Sequence, residues 1–374
     1  MDNMEELRRL RGEIDELDKA LVAAFLKRQA LGESVARAKA KGNMALVDQA
    51  REERVLEAAL EGVGGEYKDE VRSFVRNIIT LSKIRQQKTA LPRSGELLPA
   101  SGAWKTENVR AAYQGIPGAW GEQSAYTVFP DAEKISCEYF ENVFTSVKKG
   151  EADFGLVPIE NSQTGAVGET YDLLRRHSCY IVGQIWIGIR QCLLGVPGAD
   201  MNDVREVLSK PEGLDQCRGF LINQHWELTA ARNTAVAART VAERGDKRYA
   251  AIGSERAAEL YGLGILARDI TDDKNNKTRF IVIADRPIYG PNSNIISVNF
   301  TTAHRSGALS SVLERFALAG INLSRIESRP ISGERYRFFA DLQANILDEN
   351  AVSALRQAAV NCDYFEVLGC YGNL

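Results

Sequence analysis

The sequence predicts a multidomain protein in three parts: an all-α segment of three helices, a two-lobed α/β region, and a ferredoxin-like α+β unit. Three observations carry this expectation. Residues 5–41 contain no proline and repeat apolar side chains at three- and four-residue steps. From Val109 to Ala284, short apolar runs of strand character alternate with helical patterns. From Ile295 onward the order becomes strand, helix, strand, strand, helix, strand.

Bulk composition bounds the function. A chain of 374 residues makes two or three domains the expectation, at about 100–200 residues each. A net charge of −3 supplies no basic field for nucleic acid. The six cysteines, Cys137, Cys179, Cys192, Cys217, Cys362 and Cys370, form no CxxC pair, and a chain this long needs no disulfide framework. With only three histidines, no metal site is expected. The acidic start, Met1-Asp-Asn-Met-Glu-Glu, has no signal-peptide character, and there is no long apolar span. A cytoplasmic enzyme or sensor without a membrane partner fits.

In the first segment, residues 1–90, Leu7, Leu10, Ile14, Leu17, Leu21, Phe25 and Leu31 make the stripe of one long helix that pauses at Gly42-Asn43. A second helix runs from about Asp48 to Glu61 and stops at Gly62, Gly64 and Gly65. A third runs from about Lys68 to Gln87 on Val71, Phe74, Val75, Ile78, Ile79 and Leu81. So thin a bundle leaves the first helix short of partners, and dimerisation through that helix is the simplest remedy. Arg11, Arg28, Lys39 and Arg51 lie on or near the buried stripe, where a charge must be paired or serve a ligand. Arg11 and Arg28 are about 25 Å apart along one axis. They serve one small ligand only if they come from different protomers; otherwise they are ordinary salt-bridged or solvated cations.

This segment resembles the all-helical class of chorismate mutase, on Arg11, Ile14-Asp15-Glu16-Leu17-Asp18, Arg28, Lys39, Asp48, Arg51-Glu52, Ser82 and Gln86. The resemblance implies an intertwined dimer that binds chorismate. It assigns Arg28, Arg51 and the other subunit's Arg11 to the substrate's carboxylates, Lys39 and Gln86 to the ether oxygen, and Glu52 and Asp48 to the ring hydroxyl. Such a rearrangement needs the substrate held folded and donors aimed at growing oxygen charge, not a nucleophile.

Residues 91–108 hold two prolines, two glycines and no period, and read as a linker. Residues 109–288 form the α/β region. A strand at Val109 ends in Gly115-Ile-Pro-Gly118-Ala-Trp-Gly121, a turn able to offer backbone N–H groups to an anion that spells no nucleotide fingerprint. Helices are expected at 144–149, 166–176, 217–223 and 234–244, an extended run over 180–194, and a short strand at 250–252 opening on Gly253-Ser254. Two stretches are sharper. The apolar run Phe154–Ile159 breaks at once into Glu160-Asn-Ser-Gln-Thr-Gly165, the way open α/β sheets deliver polar groups to a site. Asn276-Lys-Thr-Arg-Phe280 stands where another strand enters its sheet.

The region is similar to prephenate dehydratase along nearly its full length. The matches are Gly115 with Pro117-Gly118, Asp153-Phe-Gly through Pro158-Ile-Glu-Asn-Ser162, Thr164-Gly165, Ser209 with Pro211, Gln216-Cys217, Thr234-Ala235, Gly253-Ser254 and Asn276 with Thr278-Arg279-Phe280. The resemblance implies two lobes of the periplasmic-binding-protein type and the conversion of prephenate to phenylpyruvate, with no cofactor. Thr278 would be the donor to the departing hydroxyl, which leaves poorly without one. Arg279 would pair with a substrate carboxylate. Asn161, Ser162, Thr164 and Gln216 would orient the substrate, with Thr234 and Ser254 beside them. Glu160 would either polarise one of these groups or line the site. Two positions depart from the family pattern: Gly121, commonly serine or threonine, and Lys210, commonly histidine.

In the last segment, 294–372, Gly307-Ala308-Leu309 and Glu327-Ser328-Arg329-Pro330 match the phenylalanine-binding regulatory (ACT) domain attached to such dehydratases. This implies feedback control by L-phenylalanine and a second reason for a homodimer or higher oligomer. Three rivals stay open: a two-lobed amino-acid sensor with decayed sites, a dehydratase preferring arogenate, and a silent mutase segment kept for dimerisation.

Overall fold

The computed structural model describes residues 3–41, 49–90, 97–331, 333 and 335–374. Asp48 and residues 91–96 of the expected linker lie outside them. By compactness the chain forms two units: Met1–Glu96, Arg305–Ala319 and Ser353–Asn361 make one, and the remainder makes the other.

The first unit is helical. Its leading helices are α1 (Asn3–Lys41), α2 (Gln49–Leu60) and α3 (Lys68–Ala90). The apolar stripe of α1 stays open to solvent in the single chain, with Leu17 64% and Leu31 69% exposed, as the shortage of partners anticipates.

The second unit begins with β1 (Arg110–Gln114), α4 (Trp120–Val128), β2 (Glu133–Cys137), α5 (Phe140–Lys148), β3 (Phe154–Asn161), β4 (Gly165–Ala166), α6 (Gly168–His177) and β5 (Tyr180–Gly188). The chain then crosses to a second lobe: β6 (Cys192–Gly195), β7 (Glu206–Ser209), α7 (Pro211–Asp215), α8 (Arg218–Leu221), β8 (Glu227–Ala230), α9 (Thr234–Arg244), β9 (Tyr249–Gly253), α10 (Glu255–Tyr261) and β10 (Gly264–Ala267). It returns to the first lobe with β11 (Lys277–Ala284). The first sheet has the order β2-β1-β3-β11-β5 with β4 on β3, and the second β10-β6-β9-β7-β8. β1 is parallel to β2 and β3, whereas β11 runs antiparallel between β3 and β5. The two crossing segments are joined where Ile189 N–H donates to the Asn276 carbonyl at 2.8 Å.

The extended run expected over 180–194 is thus two strands in two sheets, split at 189–191 where the chain changes lobe. Ile281, Val282 and Ile283 of β11 are fully buried, each worth about 1.5–3 kcal/mol. β11 is covered on both faces, Ile281 and Ile283 in one core and Val282 and Ala284 in another, which is why it reads as a continuous apolar run.

The last elements are β12 (Ile295–Thr301), α11 (Ala308–Leu318), β13 (Leu323–Pro330), β14 (Tyr336–Leu342), α12 (Glu349–Val360) and β15 (Tyr364–Tyr371), in the βαββαβ order. Their sheet is antiparallel, β13-β14-β12-β15. Phe339, Leu368 and Tyr371 share one core with Val157, Ile159, Ile181, Ile281 and Ile283 of the first lobe. Gly369 has no room for a side chain, because a Cβ there would meet the Ile181 carbonyl.

Candidate active site

A cleft of about 500 Å³ opens between the two lobes. Its floor comes from β3 and β11, where Asn161 faces Thr278 across the ladder. Asn161 is buried and uses both ends of its amide. Its Nδ2 donates to Thr278 Oγ1 at 3.0 Å, to Asn276 Oδ1 at 2.8 Å and to the Lys277 carbonyl at 3.1 Å. Its Oδ1 accepts from the Gln163 and Thr164 N–H groups, each at 3.0 Å, and from Thr164 Oγ1 at 3.3 Å. The polar cluster that follows the apolar run is therefore folded around Asn161. Thr278 Oγ1 accepts one hydrogen bond, which leaves its proton available to a ligand.

A β-bulge decides which neighbours share this floor. Register shifts between Arg279 and Phe280, so that Phe280 faces Pro158 while Arg279 faces Glu160. The extra residue, Ile159, reverses the in–out alternation of β3. Leu156, Pro158 and Asn161 line the cleft together with Thr278 and Phe280. Pro158, which has no N–H to donate, is tolerated beside the bulge.

Glu160 and Arg279 lie on the opposite face, contrary to the expectation that both serve the substrate. Arg279 is 5% exposed. Its guanidinium meets Asp341 at 2.8 Å, Gln184 Oε1 at 3.1 Å and Glu160 at 3.2 Å. Burial works against its charge, but Asp341 and Glu160 outweigh that and hold its pKa above the ordinary arginine value. Glu160 also pairs with Arg325 at 2.9 Å. A buried arginine already matched to carboxylates is not available to a substrate carboxylate in the cleft.

Of the other expected substrate contacts, Thr164, Gln216 and Thr234 line the cleft. Ser162 and Ser254 do not. Ser162 Oγ accepts from Lys277 N–H at 3.0 Å. Ser254 caps α10, accepting from Ala257 N–H at 3.1 Å and donating to the Gly118 carbonyl at 3.0 Å. The glycine-rich turn is also self-satisfied: Gly118 N–H donates to the buried Glu122 carboxylate at 2.7 Å, so this N–H is not free for a ligand anion. A Cβ at Gly121 would meet the Gln114 carbonyl at 2.6 Å, which accounts for glycine there.

Periodicity gave no reason to single out Trp120, Gln191, Glu212 or Arg232, and Lys210 stood out only as a departure from the family pattern. All line the cleft. Lys210 pairs with Glu212 at 3.0 Å and Arg232 with Glu138 at 2.7 Å. Trp120 Nε1 and Gln191 Oε1 are buried with no hydrogen-bond partner among the described residues, the usual mark of groups that await a ligand or water.

In the helical unit, Arg28 donates to Ser82 Oγ and, at 3.4 Å, to the Ile78 carbonyl. Burial lowers its pKa. Gln86 Nε2 lies against Gly32, 3.5 Å from the position of an added Cβ. Glu52 pairs with Lys83 at 2.7 Å. Lys39 and Arg51 also have partners in this structure. Arg11 is exposed on α1, apart from the Arg28 group. Thus Arg28, Ser82 and Gln86 converge at the α1–α3 contact, and Arg11 does not join them within one chain.

Gly307 adopts φ 78° at the start of α11, a conformation that favours glycine. Ala308 is buried and Leu309 half-buried. On β13, Glu327 lies 3.8 Å from Arg325, while Ser328 and Pro330 are exposed. Arg329 reaches Asp172 of α6 at 3.4 Å and packs against Gly168.

Two family models match the chain: prephenate dehydratase over residues 111–288 and chorismate mutase type II over residues 10–87. Arogenate dehydratase/prephenate dehydratase 1, chloroplastic, of Arabidopsis thaliana is 40% identical, covering 70% of this chain and 72% of its own. Arogenate dehydratase 2 of Petunia hybrida is 36% identical, over 72% and 73%. A prephenate dehydratase structure from Arthrobacter aurescens in complex with L-Phe superposes with a TM-score of 0.66 at 29% identity, over 71% of this chain and 90% of that one. A structure described as a novel type of quorum-quenching acylase has a TM-score of 0.65 at 30% identity, over 71% and 98%. The chain is an enzyme of the prephenate dehydratase family, with a type II chorismate mutase domain preceding the dehydratase domain.

Proposed function

We propose that the chain performs two consecutive steps, chorismate to prephenate in residues 1–90 and prephenate to phenylpyruvate in residues 109–288. The segment 294–372 is the regulatory ACT domain in this reading, and 91–108 the linker. The observation that carries the dehydratase step is the Asn161–Thr278 hydrogen bond on the cleft floor. As carbon dioxide leaves, the electron pair of the broken C–C bond enters the ring and the C–O bond breaks. The departing hydroxyl takes the Thr278 proton and leaves as water. Asn161 Nδ2, already donating to Thr278 Oγ1, stabilises the negative charge that grows there until solvent returns a proton. With Arg279 turned away, Lys210 and Arg232 are the cations for the substrate's two carboxylates; their carboxylate partners are exposed and readily exchanged.

For the mutase step, Arg28 beside Ser82 and Gln86 forms one half of a chorismate site. The second copy's α1 would complete it with Arg11, and the exposed stripe of α1 supports that pairing. Arg51 and Lys39 belong to the same proposed set, with Glu52 and Asp48 on the ring hydroxyl. Feedback by L-phenylalanine rests on Gly307-Ala308-Leu309 and Glu327–Pro330, and the Arthrobacter relative bound to L-Phe favours it. A cytoplasmic site suits Cys137, Cys179, Cys192, Cys217 and Cys370, which are held as thiols.

The test is a chorismate assay on the purified chain, with and without L-phenylalanine. Chorismate loss, phenylpyruvate gain and slowing of the second step by phenylalanine are expected. Untouched chorismate with prephenate still converted would reduce residues 1–90 to a dimerisation arm.

A further inference from the structure

We infer that Gln191 is a specificity-determining contact of the dehydratase cleft, whose side-chain carbonyl accepts a hydrogen bond from the ammonium of an amino-acid substrate of the arogenate type. The inference rests on the dehydratase reading of the cleft. Gln191 stands in the first crossing between the lobes. Its N–H donates to Thr271 Oγ1 at 2.9 Å and its carbonyl accepts from Ile270 N–H at 2.8 Å, so its backbone is fixed to the returning crossing. The residue is 2% exposed and lines the cleft. Its Nε2 donates to Gln216 Oε1 at 3.2 Å, while its Oε1 is buried without a partner among the described residues.

A buried, unpaired acceptor in a ligand cleft favours a ligand that brings a donor. Arogenate and prephenate share the ring, the ring carboxylate and the ring hydroxyl. They differ in the side chain, which carries an ammonium in one and a keto oxygen in the other. The ammonium forms a charge-assisted bond to Gln191 Oε1, whereas the keto oxygen sets lone pair against lone pair. The cleft wall also holds both signs of charge, Lys210 beside Glu212 at 3.0 Å, as the carboxylate and ammonium of an amino acid require.

The experiment measures kcat/KM for arogenate and for prephenate with the full chain, Gln191→Leu and Gln191→Glu. Gln191→Leu also removes the donor to Gln216 Oε1, so both values fall, and the arogenate value is expected to fall about tenfold or more beyond the prephenate value. Gln191→Glu, an acceptor only, shifts the ratio further towards arogenate. A loss of fold alone would move both substrates together, so the ratio separates specificity from stability. Equal losses on both, or no loss on either, overturn the inference, as does an unsubstituted chain that converts prephenate but not arogenate. Failure to convert either substrate overturns the dehydratase reading and this inference with it.

Discussion

The Arg279 guanidinium and the Asp341 carboxylate form a buried ion pair at 2.8 Å, which ties the strand carrying Thr278 to the last sheet. Asp341 also accepts from Ser297 Oγ, and Ser297 contacts Tyr371 OH at 2.7 Å. Tyr371 is held neutral by burial, which pushes its pKa well above the ordinary tyrosine value. The network lies directly behind the cleft floor, because Arg279 and Thr278 are adjacent residues on opposite faces of β11.

Removing one partner of that pair leaves a buried charge unmatched. Asp341→Ala should cost about 3–5 kcal/mol of stability, read from urea unfolding. The double variant Arg279→Met with Asp341→Leu should recover most of that loss. Recovery of stability without recovery of dehydratase rate would show that the pair also aligns Thr278.

Thr278→Ala should lower phenylpyruvate formation about 10²–10⁴-fold, with chorismate consumption unchanged. Thr278→Ser keeps the hydroxyl and should retain a much larger share of the rate. Asn161→Asp keeps the acceptor for the Gln163 and Thr164 N–H groups but loses the donor to Thr278 and sets a buried carboxylate oxygen against Asn276 Oδ1 and the Lys277 carbonyl, so it should lower both kcat and the melting temperature.

Lys210→Ala and Arg232→Ala should each raise KM for the dehydratase substrate about tenfold, and the double variant more. Arg279→Lys is the control. It is predicted to lower stability, since a buried bidentate site does not accept lysine, without the same selective rise in KM. A KM insensitive to both cleft cations would return the carboxylate contact to a group elsewhere.

Arg28→Ala should abolish most chorismate turnover, by about 100-fold or more, and leave conversion of added prephenate intact. Loss of both activities would point to unfolding instead. The melting profile distinguishes the two.

Burial pushes the Cys217 thiol up to about 12, from an ordinary value of 9.0. Cys179 is likewise pushed up to about 12 by burial. A folded-state pKa above the unfolded one contributes stability that is complete below pH 9 and lost as pH rises towards 12. The slope is about 1.4 kcal/mol per pH unit for each thiol. Unfolding midpoints measured between pH 7.5 and 10.5 (about 3 pH units) should therefore fall above pH 9, and Cys217→Ala should flatten the fall. An equal slope in the variant would remove Cys217 from the account.

Local pattern alone determined much of this protein. The three leading helices, the alternation of strands and helices, and the βαββαβ order follow from apolar periodicity and from glycine and proline positions, which act over a few residues. The polar cluster around Asn161 and the threonine at 278 were also legible, because an apolar run that breaks into side-chain hydrogen-bonding groups is a local signal. Tertiary structure alone decided which side chains face the cleft. The bulge at Ile159 depends on how β3 and β11 pair, and β11 lies more than a hundred residues away. One inserted residue turned Glu160 to the opposite face, which Arg279 already occupies by its alternation with Thr278 and Phe280, and there Asp341, Gln184 and Arg325 meet them. Gln191, Glu212 and Arg232 stood in unremarked stretches until the crossing of the chain between lobes gathered them at one cleft. Periodicity reports what a residue does to its own element; the partner that neutralises a charge comes from another part of the chain.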